Sequence, residues 1–391
     1  MIFSIVIPAY NEEQSVADIL RRSSAAAGKI KAAGLGVSDV EILLVNDGSS
    51  DNTEAIAREF KGAKVISHPR NRGYGAAIKT GFGAARGDLL GFLDADGTCD
   101  PNFFTDLISL CLKENLDVAV GSRLHSDARM PAVRVLGNRI FRALVNLIGS
   151  SSATDVASGM RVLRKSSLHR LYPLPDGLDF TPAMSVRAIL DGRLRLKEIP
   201  MPYEERVGES KLSVIKDGMR FLRIILETSM TYKPRFFFGA AAAVFAAAAL
   251  WALAASWGGP ESPLLYYLRN DRLANWMLFR CVFVSWCLSS AAFLAAFGWT
   301  AQSLVGAINE EDSPPKTKLL LVLAAASLVL ALVLSRRMIY SYLLTGSIPE
   351  NNWIFIVSGS LFALIGIEFV AFAVLERVAF LLRERTRQTG S

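Results

Sequence analysis

Short apolar runs alternate with segments of helical periodicity through the first half of the chain. The runs are those expected of buried strands, at residues 2–7, 40–45, 65–66, 89–93 and 118–120. Helices are predicted after Asp51, which can cap its helix with Glu54 in capping-box spacing, and over 74–85 and 101–113. This alternation predicts an α/β domain with a mainly parallel, helix-covered sheet, whose ligands bind beyond the carboxyl ends of the strands.

The pattern is weaker between residues 123 and 206. A long amphipathic helix is predicted over 131–149 and a second helix over about 181–190. Residues 211–232 then combine apolar positions with Lys and Arg, which is typical of an amphipathic helix at a membrane surface. This last segment predicts where the chain approaches the bilayer.

Long apolar runs dominate the chain from Phe236 onward. Four of them, at about 236–257, 277–308, 319–334 and 353–375, have or approach the roughly 17–25 residues that a membrane-spanning helix needs. The third run is short, so Lys318 and Arg336 are expected to snorkel toward the bilayer surface. All six tryptophans lie in this half, and three of them are close to span ends. The alternative, a buried helical core of a soluble domain, is disfavoured by four runs of this length.

These patterns divide the chain into a soluble domain at 1–210, a juxtamembrane region at 211–235, and a transmembrane domain at 236–391 with a basic tail. The formal charge is +7, and Lys and Arg concentrate before the first span and after the last. An even number of spans places both chain ends on one side, which the positive-inside rule makes cytoplasmic. We therefore expect a multi-pass integral membrane protein without a signal peptide.

Composition disfavours several other classes of protein. The basic residues form no stripe with interleaved aromatics, so nucleic acid is not an expected partner. The four cysteines have no metal-ligand spacing and are expected to be reduced and packed. There is no Walker A sequence, and Ile78 stands where a dinucleotide fingerprint needs its third glycine.

Chemistry-bearing residues follow three of the predicted strands. Asp94 and Asp96 end the strand at 89–93, and side chains at i and i+2 of an extended segment share a face. Both carboxylates can reach one Mg²⁺ or Mn²⁺, which proteins usually share with substrate phosphates. Taken alone, the pair is equally typical of a turn.

The loops after the first and second strands add groups suited to a nucleoside. Tyr10 offers a ring on which a base can stack, Glu12 can accept from ribose or base donors, and Asp47 can accept from a nucleobase imide. The loop at 71–75 and Lys79 bring cations near a helix start, where phosphates bind readily. Because the three loops are expected at one sheet edge, they predict a metal-assisted site for a nucleotide diphosphate.

Four ordered motifs resemble the family 2 glycosyltransferases of the GT-A fold over roughly residues 1–230. They are I-P-A-Y-N-E (7–12), V-N-D-G-S-S-D (45–51), N-R-G-Y-G (71–75) and D-A-D-G (94–97). Segments 121–123, 155–161 and 206–212 are most similar to the polyprenyl-phosphate hexosyltransferases of the dolichyl-phosphate mannose synthase type. The resemblance implies a Rossmann-like GT-A domain followed by four transmembrane spans. Two departures are a stretch at 206–211 that is one residue shorter and Met160 in place of an aromatic residue.

The resemblance also implies roles for the residues that match the motifs. Those expected to bind the nucleotide are Pro8, Ala9, Tyr10, Glu12, Asp47 and Asp94. Asp94 and Asp96 are the expected ligands of Mg²⁺ or Mn²⁺, and with Asp155 they are the expected catalytic residues. Asp155 either orients another group or acts as a base.

A second set is expected to hold phosphates of the donor or the acceptor: Arg123, Arg134, Arg206, Ser210 and Lys211. This cationic group suits a lipid monophosphate, whose second pKa near 6 leaves it mostly dianionic at neutral pH, so that it needs placing more than deprotonating. A hydroxyl acceptor would instead need a positioned base.

The expected reaction is the inverting transfer of a hexose from a donor of the GDP-mannose or UDP-glucose type. The expected acceptor is undecaprenyl or dolichyl phosphate at the cytoplasmic face of the membrane. Two alternatives are transfer to a glycolipid hydroxyl and a lipid-linked sugar carrier or scaffold whose four spans are the active part. The sequence leaves open whether the protein forms homo-oligomers.

Overall fold

The structure, a computed structural model, describes residues 1–123, 157–202, 214–255, 275–308, 316–346 and 354–389, with residues 139, 143, 145, 146, 155, 266, 269 and 270 between them. The chain splits into two compact units, Met1–Ser229 and Met230–Ser391. The predicted helix over 131–149 lies almost wholly outside the described residues, as do Arg134, Arg206, Ser210 and Lys211.

The first unit is built on one sheet, which has seven strands within the described residues. The strands are β1 (Ile2–Ala9), β2 (Asp39–Asn46), β3 (Lys64–Ser67), β4 (Leu89–Phe92), β5 (Val118–Ser122), β6 (Arg161–Arg164) and β7 (Leu196–Pro200). Their order is β3-β2-β1-β4-β6-β5-β7. Strands β3, β2, β1 and β4 are parallel to one another; β6 is antiparallel to both its neighbours, and β7 is parallel to β5.

Helices cover both faces of this sheet. They are α1 (Val16–Ala32), α2 (Thr53–Glu59), α3 (Tyr74–Ala84), α4 (Phe104–Lys113), α5 (Leu168–Leu171) and α6 (Phe180–Leu190). Helix α7 (Val214–Tyr232) follows β7 in the chain. The alternation of side chains along β1 separates two cores, because Phe3, Ile5 and Ile7 pack toward α1 and α4 while Val6 packs toward α3 and α6. The predicted mainly parallel, helix-covered sheet is confirmed.

The strand order brings the predicted loops to one edge. Strand β1 pairs with β2 on one side and with β4 on the other, with Ala9 opposite Asn46 and Val6 opposite Phe92. From β1 the chain adds β2 and β3 on one side of the sheet and then β4 on the other side. The boundary between β1 and β4 is therefore the topological switch point, where open α/β sheets bind ligands. The loops that leave β1, β2 and β4 meet there, as the sequence predicts.

Two local expectations need correction. Strands β6 and β7 were not predicted, because neither is an unbroken apolar run: β6 begins and ends in arginine, and β7 reads Leu-Lys-Glu-Ile-Pro. The capping box at α2 is not formed. Asp51 does accept from the Thr53 N–H at 3.0 Å, but Glu54 bonds Arg58 and the Asn46 amide instead.

The second unit contains four long helices within its described residues: α8 (Pro234–Ala255), α9 (Asn275–Ile308), α10 (Thr317–Thr345) and α11 (Ile354–Thr389). Each is long and apolar enough to cross a membrane. Helix α10, with 29 residues, runs well past the predicted end at 334. Glycines on α11 allow close contact with α10, since Gly359 lies against Ser335 and Gly366 against Leu328.

The paired rings of Phe3 and Phe104 give a test of the first core. Phe104 is fully buried and its ring centroid lies 5.2 Å from that of Phe3 in an edge arrangement. We expect Phe104→Ala to lower the free energy of unfolding by about 3–5 kcal/mol, because it leaves a cavity under β4. The neighbouring Phe103 is only partly buried, so Phe103→Ala should cost clearly less. Denaturant titration of both variants in detergent checks this, and equal losses would contradict the assignment.

Candidate active site

The loops that leave β1 and β2 are joined by hydrogen bonds. Pro8 and Ala9 are the buried last residues of β1, and Tyr10, 37% exposed, follows them. Asn11 has a left-handed backbone with φ of 51°. Its amide oxygen accepts from the Ser50 N–H at 2.8 Å, and the Glu12 N–H donates to the Thr53 hydroxyl at 2.8 Å. These contacts fix Tyr10 at the open edge of the sheet beside the β2 loop.

Asp47 lies buried at the centre of the next loop. Its Oδ1 accepts from the Arg72 N–H at 2.9 Å and contacts His68 Nδ1 at 2.7 Å, while its Oδ2 accepts from the Gly73 N–H at 2.8 Å. The carboxylate thus joins the β2 loop to the loop before α3. Because a carboxylate has about four lone-pair positions, these three contacts leave room for one more donor. The predicted contact with a nucleobase stays a prediction.

His68 is a part of this edge that the sequence pattern did not reveal. Its ring is buried between Asp47 and Thr80, with Nε2 2.9 Å from the Thr80 hydroxyl. A lone histidine after a short strand has no spacing that predicts such a role. Its proximity to Asp47 exists only because β2 and β3 are paired in parallel.

The two acids that follow β4 have different surroundings. Asp94 is partly exposed, and its Oδ1 accepts from the Tyr74 hydroxyl at 2.6 Å. Asp96 is 8% exposed, and its Oδ1 accepts from the Thr98 hydroxyl at 2.7 Å and the Thr98 N–H at 3.1 Å. The structure therefore holds both carboxylates by hydrogen bonds at the switch point.

The donor set at this point fits a hard divalent cation. Asp94 and Asp96 both present carboxylate oxygens here, which are the ligands that Mg²⁺ and Mn²⁺ prefer. Among the described residues there is no group of three or more His, Cys, Asp or Glu that could hold a metal. Two carboxylates suffice where a substrate diphosphate completes the coordination of Mg²⁺.

Asp155 and Arg123 form a buried ion pair behind the β5 loop. Arg123 Nε and Nη2 donate to the two oxygens of Asp155 at 2.8 and 3.0 Å, and the Arg123 N–H adds a third bond at 3.0 Å. Burial alone would raise the pKa of Asp155, but the Arg123 charge and hydrogen bonds outweigh it and lower the pKa below 3.8. These contacts favour the orienting role over the role of base.

Arg161 is a buried cation beneath these acids. Its side chain is fully buried, and its Nε donates to the Ser158 carbonyl at 3.1 Å. Burial lowers the pKa of Arg161 to about 10, although the charge of Asp155 opposes that shift. The guanidinium therefore stays protonated at neutral pH. It offsets some of the negative charge of Asp155 and Glu198.

Lys79 on α3 has partners within the protein. Its ammonium forms an ion pair with Asp176 at 2.5 Å and donates to the Leu174 carbonyl at 2.8 Å. The side chain therefore ties α3 to the loop before α6. The expectation that Lys79 lies near phosphates stays a prediction.

Comparison with known proteins identifies the class. Residues 4–172 match the family described as Glycosyl transferase family 2. They run from within β1 to beyond β6 and include Asp47, Asp94, Asp96 and Asp155. The chain is therefore similar to this family over residues 4–172. The predicted α/β architecture, a mainly parallel sheet followed by four apolar helices of membrane-spanning length, is confirmed.

Several curated proteins are similar to this chain. The low-salt glycan biosynthesis hexosyltransferase Agl6 of Haloferax volcanii is 30% identical over 66% of this chain and 60% of its own length. An undecaprenyl-phosphate 4-deoxy-4-formamido-L-arabinose transferase of Sodalis glossinidius is 32% identical over 54% and 63%. A dolichyl-phosphate hexose transferase of Haloferax volcanii is 28% identical over 59% and 96%. The chain thus spans less than two thirds of the length of the first two relatives.

A solved structure is similar to part of this chain. Glucosyl-3-phosphoglycerate synthase from Mycobacterium tuberculosis, in complex with uridine-diphosphate, superposes with a TM-score of 0.48 and 20% identity. The superposition covers 58% of this chain and 79% of that chain.

The Arg123–Asp155 pair predicts a specific dependence of stability on pH. Because the pKa of Asp155 is lower in the folded state, its stabilising effect is fully present at a pH well above the pKa of an unfolded aspartate and is lost as pH falls through the folded-state pKa. We expect Asp155→Asn to cost about 3–5 kcal/mol at neutral pH, since it leaves Arg123 without a charged partner. This cost should shrink in acid below about pH 4. Melting temperatures of both proteins across pH check this, and a cost that is independent of pH would contradict it.

Proposed function

We propose that this protein is a metal-dependent, inverting hexosyltransferase that transfers a hexose from a nucleotide diphosphate sugar to a polyprenyl phosphate. The observation that carries the proposal is the single sheet edge at which Tyr10, Asp47, the Asp94–Asp96 pair and Arg123 lie at the ends of four strands. A nucleotide sugar needs a base platform, a diphosphate site and a reaction site in that succession, and this edge offers groups for each.

The donor side rests on the loops of β1 and β2. The exposed ring of Tyr10 is suited to stacking on a base, and the fourth lone-pair position of Asp47 is suited to an imide N–H. Glu12 starts the segment that leads into α1, and its backbone is fixed by Thr53. Uracil and guanine both carry an imide N–H, so these contacts fit donors of the UDP and GDP types equally.

The diphosphate would be held at the switch point by Asp94 and Asp96 through Mg²⁺ or Mn²⁺. When bound, such an ion neutralises the charge that develops on the leaving diphosphate. The chain's own contribution is to hold the two carboxylates in place through Tyr74 and Thr98 before the substrate arrives.

The acceptor side rests on Arg123. Asp155 fixes the guanidinium with a bidentate contact, so that the plane of Arg123 is set before any phosphate binds. A lipid phosphate is already mostly ionised at neutral pH and needs cations to place it opposite the leaving group. The low pKa of Asp155 suits such a reaction, because it requires no proton acceptor at that position. Arg134, Arg206, Ser210 and Lys211 are proposed to complete the phosphate site.

Two further observations support a lipid acceptor. The names of similar proteins include an undecaprenyl-phosphate and a dolichyl-phosphate sugar transferase. The four helices of the second unit are suited to residence in a bilayer, where polyprenyl phosphates are found. We further propose that the catalytic domain at 1–210 and the C-terminus are cytoplasmic. Lys and Arg concentrate before the first span and after the last, and an even number of spans places these two regions on the same side of the membrane.

A donor and acceptor panel tests the proposal directly. Full-length protein in detergent is incubated with Mn²⁺ or Mg²⁺, one of several radiolabelled UDP- or GDP-hexoses, and either polyprenyl phosphate or polyprenol. We expect organic extraction to recover label only with the phosphate. Label on polyprenol or a glycolipid would favour a hydroxyl acceptor. Retention of function by residues 236–391 alone would favour a carrier or scaffold.

Removal of one metal-binding carboxylate should abolish transfer. We expect Asp96→Ala to lower the rate by about three orders of magnitude, because metal stabilisation of a leaving group is worth several kcal/mol. The matched control is Asp106→Ala, which removes an exposed carboxylate on α4 and should retain activity. Rates are measured with purified lipid phosphate, alongside circular dichroism. Near-normal turnover by Asp96→Ala would contradict the assignment of Asp96 as a metal ligand.

A further inference from the structure

Three consecutive residues link the two acidic centres of the site. Arg72 and Gly73 donate their backbone N–H groups to Asp47 at 2.9 and 2.8 Å. The next residue, Tyr74, begins α3 and donates its hydroxyl to Asp94 at 2.6 Å. The segment 72–74 therefore contacts the acid proposed for the nucleoside through its backbone and the acid proposed for the metal through its side chain.

The backbone that carries Tyr74 has little freedom to move. Gly73 has φ of 104°, and a Cβ at this position would lie 2.4 Å from the Asp176 carbonyl oxygen. The same carbonyl accepts from the Ala76 N–H at 3.1 Å. A Cβ on Gly75 would lie 2.3 Å from the Pro175 carbonyl oxygen. The start of α3 is thus packed against the loop before α6, which gives the Tyr74 ring a rigid base.

The carboxylate of Asp94 is held from its other side as well. An added Cβ on Gly159 would lie 2.4 Å from Asp94 Oδ2, so only a glycine lets the main chain pass this close. Asp94 is therefore confined between the Tyr74 hydroxyl on Oδ1 and the main chain at Gly159 near Oδ2. A carboxylate confined in this way keeps one rotamer.

We propose that Tyr74 is a positioning residue whose hydroxyl orients Asp94 for binding a divalent cation. The inference rests on the proposed function, in which Asp94 is a metal ligand. Groups that hydrogen-bond a ligating carboxylate fix its orientation, and their loss commonly weakens metal binding by about 10–100-fold. The ring of Tyr74 would not contact the substrate; it acts through Asp94.

The test is Mn²⁺ binding by the full-length protein, measured by the electron paramagnetic resonance signal of free Mn²⁺ with UDP or GDP present. Tyr74→Phe keeps the ring and removes only the hydroxyl. We expect its dissociation constant for Mn²⁺ to rise about 10–100-fold. Transfer by this variant should recover toward the unmodified rate at high Mn²⁺. The matched control is Tyr172→Phe, which removes the hydroxyl of another partly buried tyrosine and should leave Mn²⁺ binding unchanged.

A double-mutant comparison separates positioning from a general effect on folding. In an Asp94→Asn background the hydroxyl has no carboxylate to orient, so adding Tyr74→Phe should change residual Mn²⁺ binding by less than about twofold. Unchanged Mn²⁺ affinity in Tyr74→Phe alone, or an equal loss in both backgrounds, would overturn the role of Tyr74. Absence of Mn²⁺ binding by the unmodified protein would instead overturn the metal assignment on which the inference rests.

Discussion

The parallel pairing of β1 with β2 on one side and β4 on the other is the constraint on which the site depends. It places three strand exits at one edge and puts the reversal of strand order between β1 and β4. No loop at this edge carries a complete site. Tyr10, Asp47 and Asp94 are separated by tens of residues in the chain, and only the strand register brings their loops together.

The edge also concentrates negative charge, which is unfavourable where the carboxylates are removed from water. Three kinds of hydrogen-bond partner stabilise these carboxylates. Asp47 is satisfied by backbone N–H groups and a histidine, Asp94 by a phenol, and Asp155 by a bidentate arginine. Buried acids that accept hydrogen bonds or pair with cations keep their charge, whereas unpaired ones would become protonated. The same contacts restrict side-chain rotation, so the charge balance and the geometry of the site have one physical origin.

The apolar patterns and strand-end motifs were sufficient to predict the α/β fold, the four apolar helices and the meeting of three loops. Strands β6 and β7 escaped prediction because charged residues interrupt them, and their place is decided by neighbours far away in the chain. The hydrogen bonds of His68 and Tyr74 depend on register rather than spacing. The ion pair of Lys79 with Asp176 was not predicted either. The two residues are far apart in the chain, and no local pattern indicates that they are neighbours in the fold. The sequence left the role of Asp155 open between orienting a group and acting as a base, and its contact with Arg123 favours the first.

The position of β6 has a consequence for biosynthesis. Strand β6 is antiparallel and fills the gap between β4 and β5, so the sheet stays open until Arg164 has left the ribosome. Before that point the edges of β4 and β5 that face this gap are unpaired, and unpaired strand edges are templates for aggregation. The sheet can close while the four long apolar helices are still being translated, because they follow in the sequence. Vectorial synthesis thus allows the first unit to finish folding before the apolar helices of the second unit are complete.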